Sequence, residues 1–149
     1  SFNELKGLLP HPVAGTMVKG FNVPDSLGNP SKGISVATRA GTIVSAPCDG
    51  WIAFSGPFRS YGQLLIINAG GGYYVLLAGM ERANVTLGQF VLAGEPLAVM
   101  GGLPKGGIES GLAGTDKPEP VLYIEFRKDG TSIDPAPWWV SGSNEKVRG

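Results

Sequence analysis

The stretch Val121-Leu122-Tyr123-Ile124-Glu125-Phe126-Arg127 alternates, from Leu122 onward, between apolar and polar character. Side chains of a β-strand point to opposite faces with a period of two. Leu122, Ile124 and Phe126 therefore share a core face, while Val121, Tyr123, Glu125 and Arg127 share the other. A face that carries Tyr, Glu and Arg in succession lines a solvent-accessible surface or a groove.

Other runs of the same kind surround this strand. Asp129-Gly130 turns the chain into Thr131-Ser132-Ile133, and Asp134-Pro135-Ala136-Pro137-Trp138-Trp139 closes the domain. Upstream, Thr42–Ser45, Trp51–Ser55, Leu64–Asn68, Tyr73–Leu77, Gln89–Val91 and Pro96–Met100 are short apolar runs divided by Gly, Pro, Asn and Asp. That spacing predicts an antiparallel all-β fold. The 24 glycines and 12 prolines have no fixed period, which suits short strands and many turns better than a helix bundle. Asn22–Lys32 reads as a surface loop, Gly101–Pro120 as a long one, and the polar stretch after Val140 as a frayed tail.

Composition narrows the function. A chain of 149 residues with 42% apolar content is sized for one domain and one core. Its net charge is zero, which gives no broad attraction to nucleic acid or an anionic membrane surface. No apolar run approaches the ~18 residues of a membrane span, and nothing reads as a signal peptide. The chain begins at Ser1 without Met and is expected to be a piece of a longer protein. Cys48 is the one cysteine, so no internal disulfide or four-cysteine zinc site can form. It stands beside Pro47 without a basic neighbour and reads as an inert small residue. His11 is the one histidine, held between Pro10 and Pro12, and reads as a solvent-facing turn residue. Trp138 is expected in the core, with Trp139 left open.

The ordered series of motifs resembles the LytM or lysostaphin-type zinc endopeptidase domain, which cleaves peptidoglycan cross-links. Ser31-Lys32-Gly33-Ile34-Ser35 follows that family's His-x-Gly-x-Asp frame. Gly41-Thr42-Ile43-Val44 and Ala46-Pro47-Cys48-Asp49-Gly50 follow its Gly-Thr-x-Val run and Ala-x-x-Asp-Gly turn, and Tyr61-Gly62 matches its Gly-Tyr-Gly segment. Leu77-Ala78-Gly79-Met80 stands where the family has Tyr-Ala-His-Leu, and Val85–Gly101 resembles the family's glycine-punctuated block. Val121-Leu122-Tyr123-Ile124-Glu125 takes the place of His-Leu-His-Phe-Glu. The departures fall on the chemistry. By this resemblance Ser31, Ser35 and Tyr123 occupy the metal-ligand positions, while Gly79 and Val121 occupy those of the catalytic histidines. Zinc takes nitrogen, thiolate or carboxylate donors, so the resemblance implies a chain with no metal, no cofactor and no catalytic residue.

Within the family the sequence is most similar to the EnvC-type murein hydrolase activators. The shared features are Lys32-Gly33, Leu122-Tyr123-x-Glu125-x-Arg127 and Asp134-Pro135-x-Pro137-Trp138. The resemblance implies an all-β, lysostaphin/LytM-like antiparallel sheet or sandwich with a central groove and long loops. It implies a lead-in over residues 1–8, a degenerate LytM-like domain over 9–140 and a flexible tail over 141–149. Expected groove residues are Lys32, Ser35, Tyr61, Tyr123 and Arg127, receiving a regulatory helix of a periplasmic N-acetylmuramoyl-L-alanine amidase. The location implied is the periplasm of a Gram-negative bacterium, at the division septum, and peptidoglycan itself is a further possible ligand. Arg127 can grip a carboxylate through two hydrogen bonds, unless Glu125 on the same face takes it instead. Arg127→Glu and Tyr123→Ala are expected to abolish activation with the melting temperature nearly unchanged.

Three competing readings remain: a module that only binds peptidoglycan stem peptides, an enzyme with a metal site rearranged around Glu125, Asp49 and Asp25, and a biotinyl or lipoyl carrier. The second lacks a histidine at ligand spacing. The third lacks the lysine that a carrier needs at its hairpin tip, since Ala98-Val99-Met100-Gly101-Gly102 stands there.

Overall fold

The computed structural model of the protein describes residues 1–102 and 119–140. Most of the loop expected over 101–120, and the whole tail over 141–149, lie outside the described residues.

The described residues form eleven strands and no α-helix. They are β1 (Thr16–Lys19), β2 (Ile34–Ala37), β3 (Ile43–Ser45), β4 (Gly50–Pro57), β5 (Gln63–Gly70), β6 (Tyr73–Met80), β7 (Arg82–Ala83), β8 (Phe90–Val91), β9 (Pro96–Val99), β10 (Val121–Lys128) and β11 (Thr131–Ile133). The main sheet runs β1-β2-β10-β6-β5-β4-β8, with β11 paired to β10, and a three-stranded sheet runs β3-β9-β7. All their pairings are antiparallel. The fold is thus the all-β, antiparallel architecture that the alternating runs predict. No helix among the described residues is long and apolar enough to cross a membrane.

Alternation sorts the main sheet into two faces. Leu65 and Ile67 of β5, Val75 and Leu77 of β6, and Leu122, Ile124 and Phe126 of β10 are at most 1% exposed. They pack with Val44, Leu97 and Ala98 of the small sheet in one core. Burying each large apolar side chain contributes about 1.5–3 kcal/mol, so the strand faces are fixed: a one-residue slip would expose a whole core row.

Three features were not legible as strands or core. Thr16–Lys19 forms an edge strand although Met17 and Val18 are exposed. Arg82–Ala83 is too short to show a period. Phe2, inside the stretch read as a lead-in, is 4% exposed. Its ring lies 4.7 Å from Tyr73, 5.9 Å from Phe126 and 4.5 Å from Trp138, centroid to centroid. The 3-10 turn Phe2–Leu5 delivers it there. Trp138 is buried at 3%, as expected, and Trp139 packs partly buried against the same core.

Candidate functional site

The outer face of the main sheet carries a groove of about 570 Å³. Its floor is Leu64 of β5, Leu76, Ala78 and Gly79 of β6, and Val121, Tyr123, Glu125 and Arg127 of β10. Phe58 and Tyr61, from the turn joining β4 to β5, form the rim. The register explains the convergence: Tyr123 sits opposite Ala78, and Glu125 opposite Leu76, so side chains that alternate away from the core meet on one surface.

Glu125 is the central polar group. Its side chain is 6% exposed, although it belongs to the face read as solvent-accessible. The Tyr123 phenol donates to its Oε1 at 2.6 Å, and Arg127 Nε donates to its Oε2 at 2.6 Å. Both carboxylate oxygens are thus engaged, as a buried charge requires. No buried side-chain nitrogen or oxygen among the described residues lacks a partner. Burial, then the hydrogen bond to Glu125 and its negative charge, push the Tyr123 phenol well above its ordinary range. It stays a neutral hydroxyl at any physiological pH. Arg127 is 39% exposed at its side chain, and among the described residues its terminal Nη groups have no side-chain acceptor besides Glu125, which takes Nε. The alternative weighed from sequence, an intramolecular Glu125–Arg127 pair, is therefore what forms.

The rim is aromatic. The rings of Phe58 and Tyr61 stack at 6.0 Å, and Arg59 lies over Phe58 at 5.2 Å. Tyr61 is 59% exposed.

The five positions expected from the motif frame fall in one neighbourhood. Ser35 of β2 is the direct partner of Tyr123. Ser31 lies just before β2, and its Oγ donates to the Gly33 carbonyl at 2.7 Å. Gly33 packs so closely under the Tyr123 ring and the Ile124 carbonyl that a Cβ there would collide with both. Gly79 and Val121 adjoin across the β6–β10 boundary. Gly79 has φ +112 and no room for a Cβ against the Val121 carbonyl oxygen. Of the expected groove residues, Tyr61, Tyr123 and Arg127 line the groove. Ser35 flanks it through Tyr123, and Lys32 is exposed outside the lining. Sequence reasoning passed over Phe58, Leu64 and Leu76, whose signal was only an apolar residue out of phase with the core.

These residues do not fit a zinc ion. The neighbourhood offers two serine hydroxyls, a protonated phenol and one carboxylate already held by an arginine, against the nitrogen, thiolate or free carboxylate donors that zinc takes. Among the described residues no three His, Cys, Asp or Glu side chains cluster at metal-binding spacing. Asp25 accepts the backbone N–H groups of Leu27 and Asn29, and Asp49 accepts that of Ala93; neither lines the groove. His11 is exposed and stacks on Trp139 at 5.1 Å. Cys48 is 1% exposed, and burial, then the charge of Asp49, push its thiol up to about 12, leaving it unreactive at neutral pH.

Comparison with known proteins places this groove in a family. The chain is 32% identical over 107 residues to the murein hydrolase activator EnvC of Escherichia coli (strain K12), covering 72% of this chain and 23% of that protein. It is 32% identical over 125 residues to a lipoprotein NlpD/LppB homolog of Pseudomonas aeruginosa, covering 83% of this chain and 37% of that protein. The chain thus spans well under half the length of either relative. The solved structure of Helicobacter pylori Csd3 superposes with a TM-score of 0.70 at 21% identity, over 96% of this chain and 39% of that one, a likeness of fold. The model of peptidase family M23 matches residues 29–135, which include β2 to β11 and every groove residue named above. The chain therefore belongs to peptidase family M23, the LytM group.

Proposed function

We propose that this domain is a non-catalytic activator of peptidoglycan hydrolases, namely periplasmic N-acetylmuramoyl-L-alanine amidases of a Gram-negative bacterium, acting in cell division. An amphipathic regulatory helix of the amidase lies in the groove. One observation carries this reading: the groove joins an apolar floor and an aromatic rim to a carboxylate that Tyr123 and Arg127 already occupy. Such a surface is equipped to receive a polypeptide, and among the described residues it gathers no cluster of metal-ligand side chains. Tyr and Arg are types enriched at interfaces. The relatives named murein hydrolase activators support the same reading.

The apolar side of the helix packs on Leu64, Leu76 and Val121, while Phe58 and Tyr61 close over its edge. An acidic residue of the helix meets the Nη groups of Arg127. Withdrawing the helix from the amidase favours the open enzyme, by no more than the difference in its affinity for the two states. No bond is made or broken by this chain.

Dye release from labelled sacculi by a purified amidase tests the reading. Tyr61→Glu, on the exposed rim, is expected to abolish activation and to leave the melting temperature unchanged. Unchanged activation by this variant refutes the groove as the contact. Tyr123→Ala and Arg127→Glu are poorer probes than the sequence suggests, because both groups hold the buried Glu125 and their loss costs stability.

The second reading is a module that binds peptidoglycan and targets the protein without activating anything. A row of side chains beside the groove, the exposed Trp51 and the half-buried Asn68 and Tyr74, favours it. Sedimentation with purified sacculi in the absence of amidase separates the two.

A further inference from the structure

The outer face of the main sheet extends past the groove. The strand registers place Trp51 of β4 opposite Asn68 of β5, Asn68 opposite Tyr74 of β6, and Tyr74 opposite Arg127 of β10. The neighbours of these residues, Ile52, Ile67, Val75 and Phe126, are buried core, so alternation puts all four side chains on the outer face. Strands lie about 4.7–4.9 Å apart, so three spacings make a row about 14 Å long. Trp51 is 56% exposed. Its ring meets Phe90 of β8 at 4.7 Å and 63°, which holds it in place from the sheet edge.

We propose that this row is a binding site for a linear oligosaccharide that carries a carboxylate. The C–H face of a pyranose ring packs on an indole, and its hydroxyls need donors and acceptors arrayed beside that ring. The row supplies them in order. Trp51 offers a ring and an N–H. Asn68 turns its Oδ1 to the Gly70 backbone N–H at 2.9 Å, which leaves its amide N–H groups for a ligand. Tyr74 offers a second ring with a hydroxyl. Arg127 closes the row with a cation, its Nε held by Glu125 and its side chain 39% exposed. An apolar protein surface laid here would bury those donors without partners, at about 1–3 kcal/mol each; a polyhydroxyl chain satisfies them. The cation at one end selects a saccharide bearing a carboxylate over a neutral one.

This inference rests on peptidoglycan binding by this domain, with or without amidase activation, and gives it a site and a ligand class; the row shares Arg127 alone with the groove. The probe is soluble glycan strands from sacculi stripped of their stem peptides, titrated into the isotope-labelled chain and followed by NMR. The expected result is a set of shifts centred on the Trp51 indole N–H, the Asn68 amide and Tyr74. Trp51→Ala and, separately, Asn68→Ala are expected to weaken binding about tenfold or more, with amidase activation retained. A neutral chitooligosaccharide is expected to bind more weakly than the carboxylate-bearing strands. Absence of shifts at saturating glycan overturns the proposal, and so does equal binding by both well-folded variants. Loss of amidase activation in Trp51→Ala without any glycan binding also overturns it, and assigns the row to a protein interface.

Discussion

Arg127 Nε and Glu125 Oε2 are 2.6 Å apart on the same strand, two residues from one another, with the carboxylate 6% exposed and the arginine 39% exposed. A buried acid is here neutralised from the solvent side. Removing the arginine strands the acid. Arg127→Ala is expected to lower stability by about 1.5–3 kcal/mol, less than for a fully buried pair because solvent reaches the guanidinium. Replacing both, as Glu125→Leu with Arg127→Met, is expected to recover most of that loss. Urea denaturation of the two variants and the parent chain measures it, and a double variant less stable than Arg127→Ala contradicts it.

Gly79 adopts φ +112 with the Val121 carbonyl oxygen where a Cβ would stand. Gly79→Ala forces a side chain into a backbone conformation that costs about 1–3 kcal/mol, before any collision is relieved. Equilibrium unfolding is expected to show a loss of at least that size, whereas Gly94→Ala, at a similarly positive φ but in open space, is expected to show the conformational part alone. Equal losses at the two positions argue against the close approach.

The Cys48 thiol has a folded-state pKa of about 12 against an ordinary 9.0, raised first by burial. A raised pKa means that the folded state holds its proton longer than the unfolded one. The stabilising contribution is full below pH 9 and is lost as pH rises through about 12. Cys48→Ala is expected to flatten the alkaline fall in melting temperature across that window. Labelling by iodoacetamide at pH 7 is expected only after denaturation, and rapid labelling of the native chain contradicts the burial.

Phe2→Ala removes a ring that touches Tyr73, Phe126 and Trp138. The expected cost is about 3–5 kcal/mol, with a visible change in near-ultraviolet circular dichroism from Trp138. A change below 1 kcal/mol by denaturant titration shows that the N-terminal turn is dispensable.

The strands were legible in the sequence wherever apolar and polar residues alternate, as in Val121–Lys128, because burial of one face imposes the period. They were illegible at Thr16–Lys19, an edge strand whose exposed Met17 and Val18 carry no burial signal. The order of the motifs pointed to Ser31, Ser35, Tyr123, Gly79 and Val121 together, and β2, β6 and β10 bring them side by side, with Gly33 and Gly79 at points where a Cβ would collide. The lining was only half legible. Lys32 follows the motif frame but sits outside the groove, and Phe58 and Leu76 line it without belonging to any motif. Which residues meet across a sheet is decided by strand register and bulges, and one strand read alone contains neither. The burial of Glu125 was hidden for the same reason: it depends on flanking strands and on a tyrosine and an arginine that cover it.

The contact between Gly79 and the Val121 carbonyl also limits the changes open to this sequence. A histidine at position 79 must first relieve the collision of its Cβ with the Val121 carbonyl oxygen. Stepwise change meets a stability barrier there and a lower one at the rim, where Tyr61 is 59% exposed. The path toward a histidine at position 79 therefore begins with a loss of stability, whereas the rim can exchange side chains at little structural cost.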